Sequence, residues 1–366
     1  MPDAGASVEG LDVAAYTVPT DEPESDGTLS WDSTTIVVVE AHGGGRSGLG
    51  YTYGPAAAGS VVEGMLADVA VGVDALAPQQ AWAPMRAALR NAGQQGIGAL
   101  ALSAVDTALH DLRAKLLGVS LAAALGAFRE EVPVYGSGGF TSYSLERLRE
   151  QLGGWAGQGL NRVKMKVGRD PSADPARLRA AREAVGDQAR LMVDANGAFT
   201  PSQAIAWADA YGEAGVDWFE EPVSSDDVAG LARVRDACPA GMSVAAGEYV
   251  WSLFDAERLL AGAAVDVLQA DVTRCGGPTE LLRIDALARA RNRPFSAHCA
   301  PAVSAHAGCA MESLIHLEYF HDHVRLERML FDGVLEPEEG ALRPASGTPG
   351  LGLELRSQDA EPYRVA

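Results

Sequence analysis

Hydrophobic positions along this chain follow two periods. From residue 130 onward short apolar, β-rich runs recur: VPVYG at 132, VKMKV at 163, LMVDA at 191, WFEEP at 218, SVAAGE at 243, VLQAD at 267, PFSAH at 294 and LIHLEYF at 314. Between them lie Ala-, Leu- and Arg-rich segments of helical period, such as ADPARLRAAREAVG and TELLRIDALARARN. The runs start 20 to 31 residues apart, the length of a strand, a crossover helix and two loops. Eight such units predict an α/β fold of the (β/α)8 TIM-barrel type, with sites built at the C-terminal ends of the strands. A doubly wound open sheet is the competing arrangement, and eight consecutive units favour closure.

Ahead of the barrel, STTIVVVEAHGGG carries a hydrophobic strand, and GYTYG reads as a loop or strand end. In SAVDTALHDLRAKLLG the residues Val105, Leu109, Leu112 and Leu116 fall at helical spacing, and Gly118 is placed to end the helix. These elements predict an N-terminal α+β capping domain over residues 1–129 and a barrel over 130–326. The Gly- and Pro-rich segment 327–366 is expected to return to the first domain. The acidic opening through about residue 30, including TDEPESDG, reads as flexible loop.

Composition narrows the partners. The 366 residues carry 49 acidic and 29 basic side chains, a formal charge of -20, which argues against nucleic acid and anionic membrane surfaces. The cysteines, Cys238, Cys275, Cys299 and Cys309, lack CxxC spacing, and the N-terminus lacks a basic region leading into an apolar run, so a reduced, cytoplasmic protein is expected. No apolar stretch approaches the roughly 20 residues that span a bilayer.

The chemistry starts from NRVKMKVG at 161 to 168, where Lys164 and Lys166 share the face opposite Val163, Met165 and Val167. Alone, such a strand reads as the wet face of an antiparallel sheet. In a barrel both faces are covered, and the other strand ends change the reading: Asp194 and Asn196, Glu220 and Glu221, Glu248, Asp271, His298 and Glu318 close the next six. A single strand-end carboxylate is ordinarily a helix N-cap; seven ionisable groups at one level are not all caps. Asp194, Glu220 and Glu248 are three oxygen ligands on adjacent strands without cysteine or histidine, a set suited to octahedral Mg²⁺, with Mn²⁺ as a substitute. No organic cofactor is expected.

This pattern resembles the enolase superfamily and, within it, the mandelate racemase subgroup, over nearly the whole chain. ALSAVDTALHDLRAKLLGVSLAAALG resembles the last helix of the capping domain, with Ala124 where leucine is usual. VKMKVG is similar to the Lys-x-Lys motif, LMVDANG, WFEEP and AAGE to the metal-ligand strands, and ADVTRCGG, SAHC and HLEYF to the last three. The resemblance implies that Asp194, Glu220 and Glu248 bind Mg²⁺, which holds a substrate carboxylate. It makes Lys166 one acid/base catalyst and the Asp271–His298 pair the other. It also implies that Lys164 contacts the carboxylate, that Asn196 lies nearby, and that Glu318 hydrogen-bonds an enediolate formed by loss of the proton alpha to the carboxylate. Physically, a divalent cation and Lys164 stabilise the charge where it develops, and both are expected to lower the pKa of Lys166 towards neutrality. Asp271 is expected to orient His298 and stabilise its cation, while His316, two residues deeper than Glu318, reads as structural.

GGGRSG at 43 to 48 satisfies G-x-G-x-x-G, but no helix follows, so it reads as a Gly-rich hairpin leading to a loop that sets Tyr51 and Tyr53 over the barrel mouth. Three functions remain open: an acid-sugar dehydratase giving a 2-keto-3-deoxy acid, a racemase, epimerase or cycloisomerase of a 2-hydroxy acid, and a barrel retained without turnover. The polar lid segments TDEPESDGTLSW and RSGLGYTYG favour the first. The resemblance further implies a homo-oligomer, a dimer or an octamer.

Overall fold

The computed structural model describes residues 6–366. Three antiparallel strands open the chain: β1 (Gly10–Ser25), β2 (Ser30–Gly43) and β3 (Arg46–Tyr53). Between β2 and β3 only Gly44 and Gly45 intervene, at φ +56° and +68°, the left-handed pair that a two-residue hairpin turn requires. GGGRSG is therefore a hairpin. Helices α1 (Gln79–Ala88) and α2 (Ile97–Leu117) follow. Alternation along β3 turns Gly48 and Gly50 onto α2, where a Cβ on Gly50 would stand 2.1 Å from the carbonyl oxygen of Ala104; the sheet meets the helix backbone to backbone.

The expected amphipathic stripe understates α2. The helix is buried almost all round, because the sheet covers one side and the barrel the other. Its polar residues reach across to the barrel: Thr279 N and Oγ1 donate to Asp106 at 2.9 and 2.8 Å, and Gly276 N donates to Ser103 Oγ at 2.8 Å.

Eight parallel strands follow: β4 (Val132–Gly138), β5 (Arg162–Lys166), β6 (Arg190–Asp194), β7 (Val216–Glu220), β8 (Ser243–Ala246), β9 (Val267–Ala270), β10 (Phe295–Ala297) and β11 (Leu314–Phe320). Each pairs with the next, and β11 pairs with β4 from Leu317↔Val134 to Phe320↔Ser137, which closes the barrel and excludes the open sheet. The helices after these strands are α3 (Leu145–Gly157), α4 (Asp174–Val185), α5 (Pro201–Glu213), α6 (Val228–Ala237), α7 (Leu253–Ala261), α8 (Gly277–Ala290), α9 (Pro301–Gly308) and α10 (His321–Leu330). Local chemistry sets their starts: α5 opens on a capping box in which Thr200 accepts from Gln203 N while the Gln203 side chain accepts from Thr200 N, with Pro201 at the first helical position.

After α10 the chain runs back over both layers. Ala341–Leu342 pairs antiparallel with Val132 and Pro133, Phe331 stacks on Tyr51, and Val365 N donates to Ala15 O at 2.8 Å. No helix among the described residues is long and apolar enough to cross a membrane.

Two expectations are corrected. The opening is not loop: β1 runs unbroken in register from Gly10↔His42 to Pro19↔Ser33, slips between Pro19 and Glu24, and resumes at Glu24↔Trp31. The polar run is the irregular end of a strand, held by pairing at Glu24↔Trp31 and Ser25↔Ser30. RSGLGYTYG is likewise a buried strand rather than a loop over the mouth. Tyr51, placed by the sequence among substrate contacts, is fully buried away from the cavity described below, and its hydroxyl donates to Glu327 Oε1 at 2.5 Å.

Glu327 yields a pH prediction. Burial pushes its carboxyl up to about 8 from the ordinary 4.5, against hydrogen bonds from Tyr51 and Ala302. The folded chain therefore keeps a proton that the unfolded chain releases. The stability this group supplies is complete below about 4.5 and is lost as the pH rises through 8. Glu327→Gln removes that loss, so urea midpoints of the variant should fall less than wild type between pH 5 and 8.5; parallel curves would contradict the assignment.

Candidate active site

The barrel's C-terminal mouth meets the capping sheet around a cavity of about 370 Å³. Barrel residues form its floor and walls, among them Lys166, Asn196, Glu248, Arg274, His298 and Glu318. Its roof is the β1–β2 hairpin and the end of β3, with Trp31, Thr34 and Tyr53. Strand ends set the level. Lys166, Asp194 and Glu220 are the last residues of β5, β6 and β7, and the register pairs Lys166 with Asp194 and Asp194 with Glu220. Asp271 and His298 stand one residue past β9 and β10. Glu248 lies two residues past β8, beyond Gly247, whose φ of +141° and close approach to Gln269 O leave no room for a Cβ.

Asp194, Glu220 and Glu248 converge: one oxygen from each lies within 4.8 Å of the others, and all three side chains are buried. Trp218 Nε1 holds Glu220 Oε2 at 2.9 Å, and Asn196 N holds Asp194 Oδ1 at 2.8 Å. Burial lifts Glu220 to about 7 against the pull of Lys164. Glu221, at φ +36°, leaves the strand direction; burial, then Glu248 and Asp194, raise its carboxyl far above the ordinary range. Glu221 Oε1 and Asn196 Oδ1 are buried without a hydrogen-bond partner among the described residues. A crowd of hard oxygens with acceptors to spare fits a divalent cation of the Mg²⁺ kind.

The lysines divide. Lys166 lines the cavity, its Nζ 2.5 Å from Asp194 Oδ2. Lys164 does not: it is completely buried beneath, bonded to Glu220, 2.8 Å from Glu318 and 3.8 Å from Asp194. The expected contact of Lys164 with substrate is thus replaced by contacts with carboxylates of the floor. The expected depression of Lys166 rests on a divalent cation beside it; the protein's own groups act the other way. Burial and Lys164 push its pKa down, but Asp194, Glu248 and Glu318 outweigh them and raise it.

On the other flank His298 Nδ1 lies 2.7 Å from Asp271 Oδ2, and Thr273 N and Oγ1 each donate to Asp271 Oδ1 at 2.7 Å. The other ring nitrogen, Nε2, faces Glu248 at 3.3 Å and Glu318 at 3.4 Å. Burial opposes the imidazolium, yet the surrounding carboxylates raise the His298 pKa well above its ordinary value. Glu318 also accepts from Ser137 Oγ at 2.6 Å and is held far below the usual carboxylate range, Lys164 and His298 outweighing burial. His316 lies outside this set, bonded to Ser296 and lowered to about 3 by burial.

Of the two tyrosines, Tyr53 reaches the cavity, its ring stacked on His323. Sequence reasoning missed Arg274, which stands 3.4 Å from Glu248 and 3.6 Å from Asp271 and so ties the carboxylate trio to the His298 flank. Its signal was the three-residue step from Asp271 in ADVTRCGG. It also missed Cys299, whose Sγ is 3.3 Å from His298 Nε2, and the roof residues Thr34 and Asp322, whereas Asp26 and Trp31 at the roof belong to the lid segment TDEPESDGTLSW.

The family model described as "Mandelate racemase / muconate lactonizing enzyme, N-terminal domain" matches residues 12–126, and "Enolase C-terminal domain-like" matches 147–360. D-galactarolactone cycloisomerase from Agrobacterium fabrum is 34% identical over 273 residues, 73% of this chain and 72% of that protein. The crystal structure of a mandelate racemase/muconate lactonizing enzyme-like protein from Rubrobacter xylanophilus superposes with a TM-score of 0.96 at 64% identity, covering 98% of this chain and 100% of that one. L-talarate/galactarate dehydratase from Salmonella typhimurium LT2, liganded with Mg and L-lyxarohydroxamate, has a TM-score of 0.90 at 29% identity, covering 99% and 94%.

Proposed function

The chain belongs to the mandelate racemase/muconate lactonizing enzyme family of the enolase superfamily and is an enzyme of that kind, and from this premise we propose that it removes the proton alpha to the carboxylate of an acid sugar and dehydrates it to a 2-keto-3-deoxy acid. The observation that carries the reading is a buried cluster of Asp194, Glu220 and Glu248 at the cavity floor, with Lys166 against Asp194 on one flank and His298, paired with Asp271, against Glu248 on the other.

In this reading the carboxylate trio would hold Mg²⁺, the ion with which the dehydratase relative is liganded. When bound, the ion supplies Lewis-acid stabilisation for the charge that builds on the substrate carboxylate. Lys166 takes the C2 proton once its own has left. His298, kept cationic by Asp271, Glu248 and Glu318, donates to the C3 hydroxyl, which departs as water; the resulting enol tautomerises to the ketone, so atoms and charge balance. Lys164 fixes the Glu220 and Glu318 carboxylates from beneath. Asn196 and Tyr53 border the substrate space. Dehydration is preferred to racemisation because Ser33, Thr34 and Thr35 line the roof with hydroxyl groups that suit a polyhydroxylated chain.

Proton NMR in D₂O with Mg²⁺ tests this. Loss of the C2 proton of an acid sugar together with 2-keto-3-deoxy product signals is the expected result. Deuterium at C2 with inversion and no dehydration would replace it with the racemase or epimerase reading, for which Lys166 and His298 on two flanks are equally placed.

A further inference from the structure

The cavity is electrostatically lopsided. Its lining cations, Lys166, Arg274 and His298, all stand at the barrel end, and each is engaged with a carboxylate of that end: Asp194, Glu248 and Asp271. At the roof the lining is Asp26, Trp31, Ser33, Thr34, Thr35 and Asp322, two carboxylates among hydroxyls and an indole. No lysine or arginine lines the roof among the described residues.

The local contacts hold these carboxylates in place without turning the roof positive. Asp26 Oδ1 accepts from Thr28 N at 2.6 Å and Leu29 N at 2.7 Å, closing the turn between β1 and β2. Arg169 reaches the same turn but spends its donors on the backbone oxygens of Asp26 and Leu29. Asp322 accepts from Thr34 Oγ1 and pairs with Arg325 at 2.8 Å; Arg325 balances that charge from outside the lining. Two further titratable side chains pack on this side and neither adds a cation: His323 is stacked on Tyr53 and driven to about 3 by burial, and Glu24, which accepts from Trp31 Nε1 at 2.8 Å, is pushed up to about 8 by burial and then by Asp322.

Resting on the acid-sugar reading above, we infer that the substrate is a monoacid, a polyhydroxy chain with one carboxylate at the barrel end and an uncharged, hydroxyl-bearing far end under the roof. A far-end hydroxyl donates to Asp26, Asp322 or the Thr34 oxygen and accepts from Ser33. A second carboxylate brought there meets the Asp26 and Asp322 carboxylates with no cation in the lining to pair with, since Arg169 and Arg325 are engaged outside it, and gives up its hydration without a charged partner. The roof thus sets specificity by excluding diacids, and Asp26 and Asp322 are its specificity-determining residues.

The test compares configuration-matched pairs, gluconate with glucarate, galactonate with galactarate and arabinonate with arabinarate, in the Mg²⁺-loaded enzyme, with C2 proton loss read by NMR. The monoacid of the productive pair is expected to exceed its diacid in kcat/KM by roughly 10²-fold or more. Asp26→Asn combined with Asp322→Asn should narrow that ratio by roughly 10-fold, chiefly through diacid KM. Diacid turnover equal to or faster than the monoacid overturns this inference and leaves the proton-abstraction reading standing. Exchange confined to simple 2-hydroxy acids, or absent from the whole panel, overturns the acid-sugar reading and the inference with it.

Discussion

Lys166→Ala lowers turnover of the confirmed substrate by roughly 10²–10⁴-fold, the range that a positioned acid or base contributes. The lysine stands at the end of β5 with its ammonium in the cavity, 2.5 Å from Asp194 on the neighbouring strand. Shortening it to a methyl removes the proton acceptor and leaves β5 intact, because Val163 and Met165 on the opposite face carry the packing. The loss should lie in kcat, with KM little changed, since in this reading the substrate carboxylate is anchored by the Mg²⁺ that the trio would hold rather than by Lys166. His298→Asn is the companion: it keeps side-chain volume close to the original but cannot carry a proton, and an equal fall in product with retained C2 exchange would assign His298 to hydroxyl departure. Full turnover in both variants, measured under saturating Mg²⁺, would remove the two residues from the chemistry.

How much of this was readable in the sequence depends on which interactions set each feature. The barrel and its row of strand-end groups were legible because both follow from spacing alone: a period of two within strands, 20 to 31 residues between them, and one level for Lys166, Asp194, Glu220, Glu248, Asp271, His298 and Glu318. In the capping sheet the β2 strand and its Gly-rich hairpin were legible, but β1 was not, because its second half is polar and carries Pro19 and Pro23, and its extended form comes from pairing with β2. In β3 the period of two was present: Gly48 and Gly50 turn to α2, while Tyr51 and Tyr53 share the other face. Which of the two tyrosines reaches the cavity depends on where Glu327 and His323 on α10 come to rest, a tertiary outcome. The carboxylate beside Lys166 escaped for a similar reason. The sequence supplied its cationic neighbour Lys164, but the register that sets Asp194 beside it belongs to the pairing of β5 with β6. Arg274 escaped because a turn residue pairing with both Asp271 and Glu248 leaves no periodic trace.

Glu248→Gln weakens Mg²⁺ binding by roughly 100-fold or more, read by calorimetry and by thermal shift rather than by activity. The wild-type cluster gathers Asp194, Glu220 and Glu248 within one coordination sphere, with Glu221 buried beside them, and a divalent cation relieves the repulsion that folding builds there. A ligand that binds the folded state alone stabilises it by about 2.7 kcal/mol at 100 times its Kd, so Mg²⁺ should raise the wild-type melting temperature in a concentration-dependent way. In the variant one hard anionic donor becomes a neutral amide, the remaining carboxylates bind the ion weakly, and the shift should vanish at the same Mg²⁺ concentration. The substitution also releases Arg274 and His298 from their contact with Glu248, so activity falls by more than one route. Metal affinity isolates the ligand role, because neither Arg274 nor His298 donates to a cation while protonated. An unchanged Mg²⁺ titration in Glu248→Gln would take Glu248 out of the metal site and leave its contacts with Arg274 and His298 as its whole function.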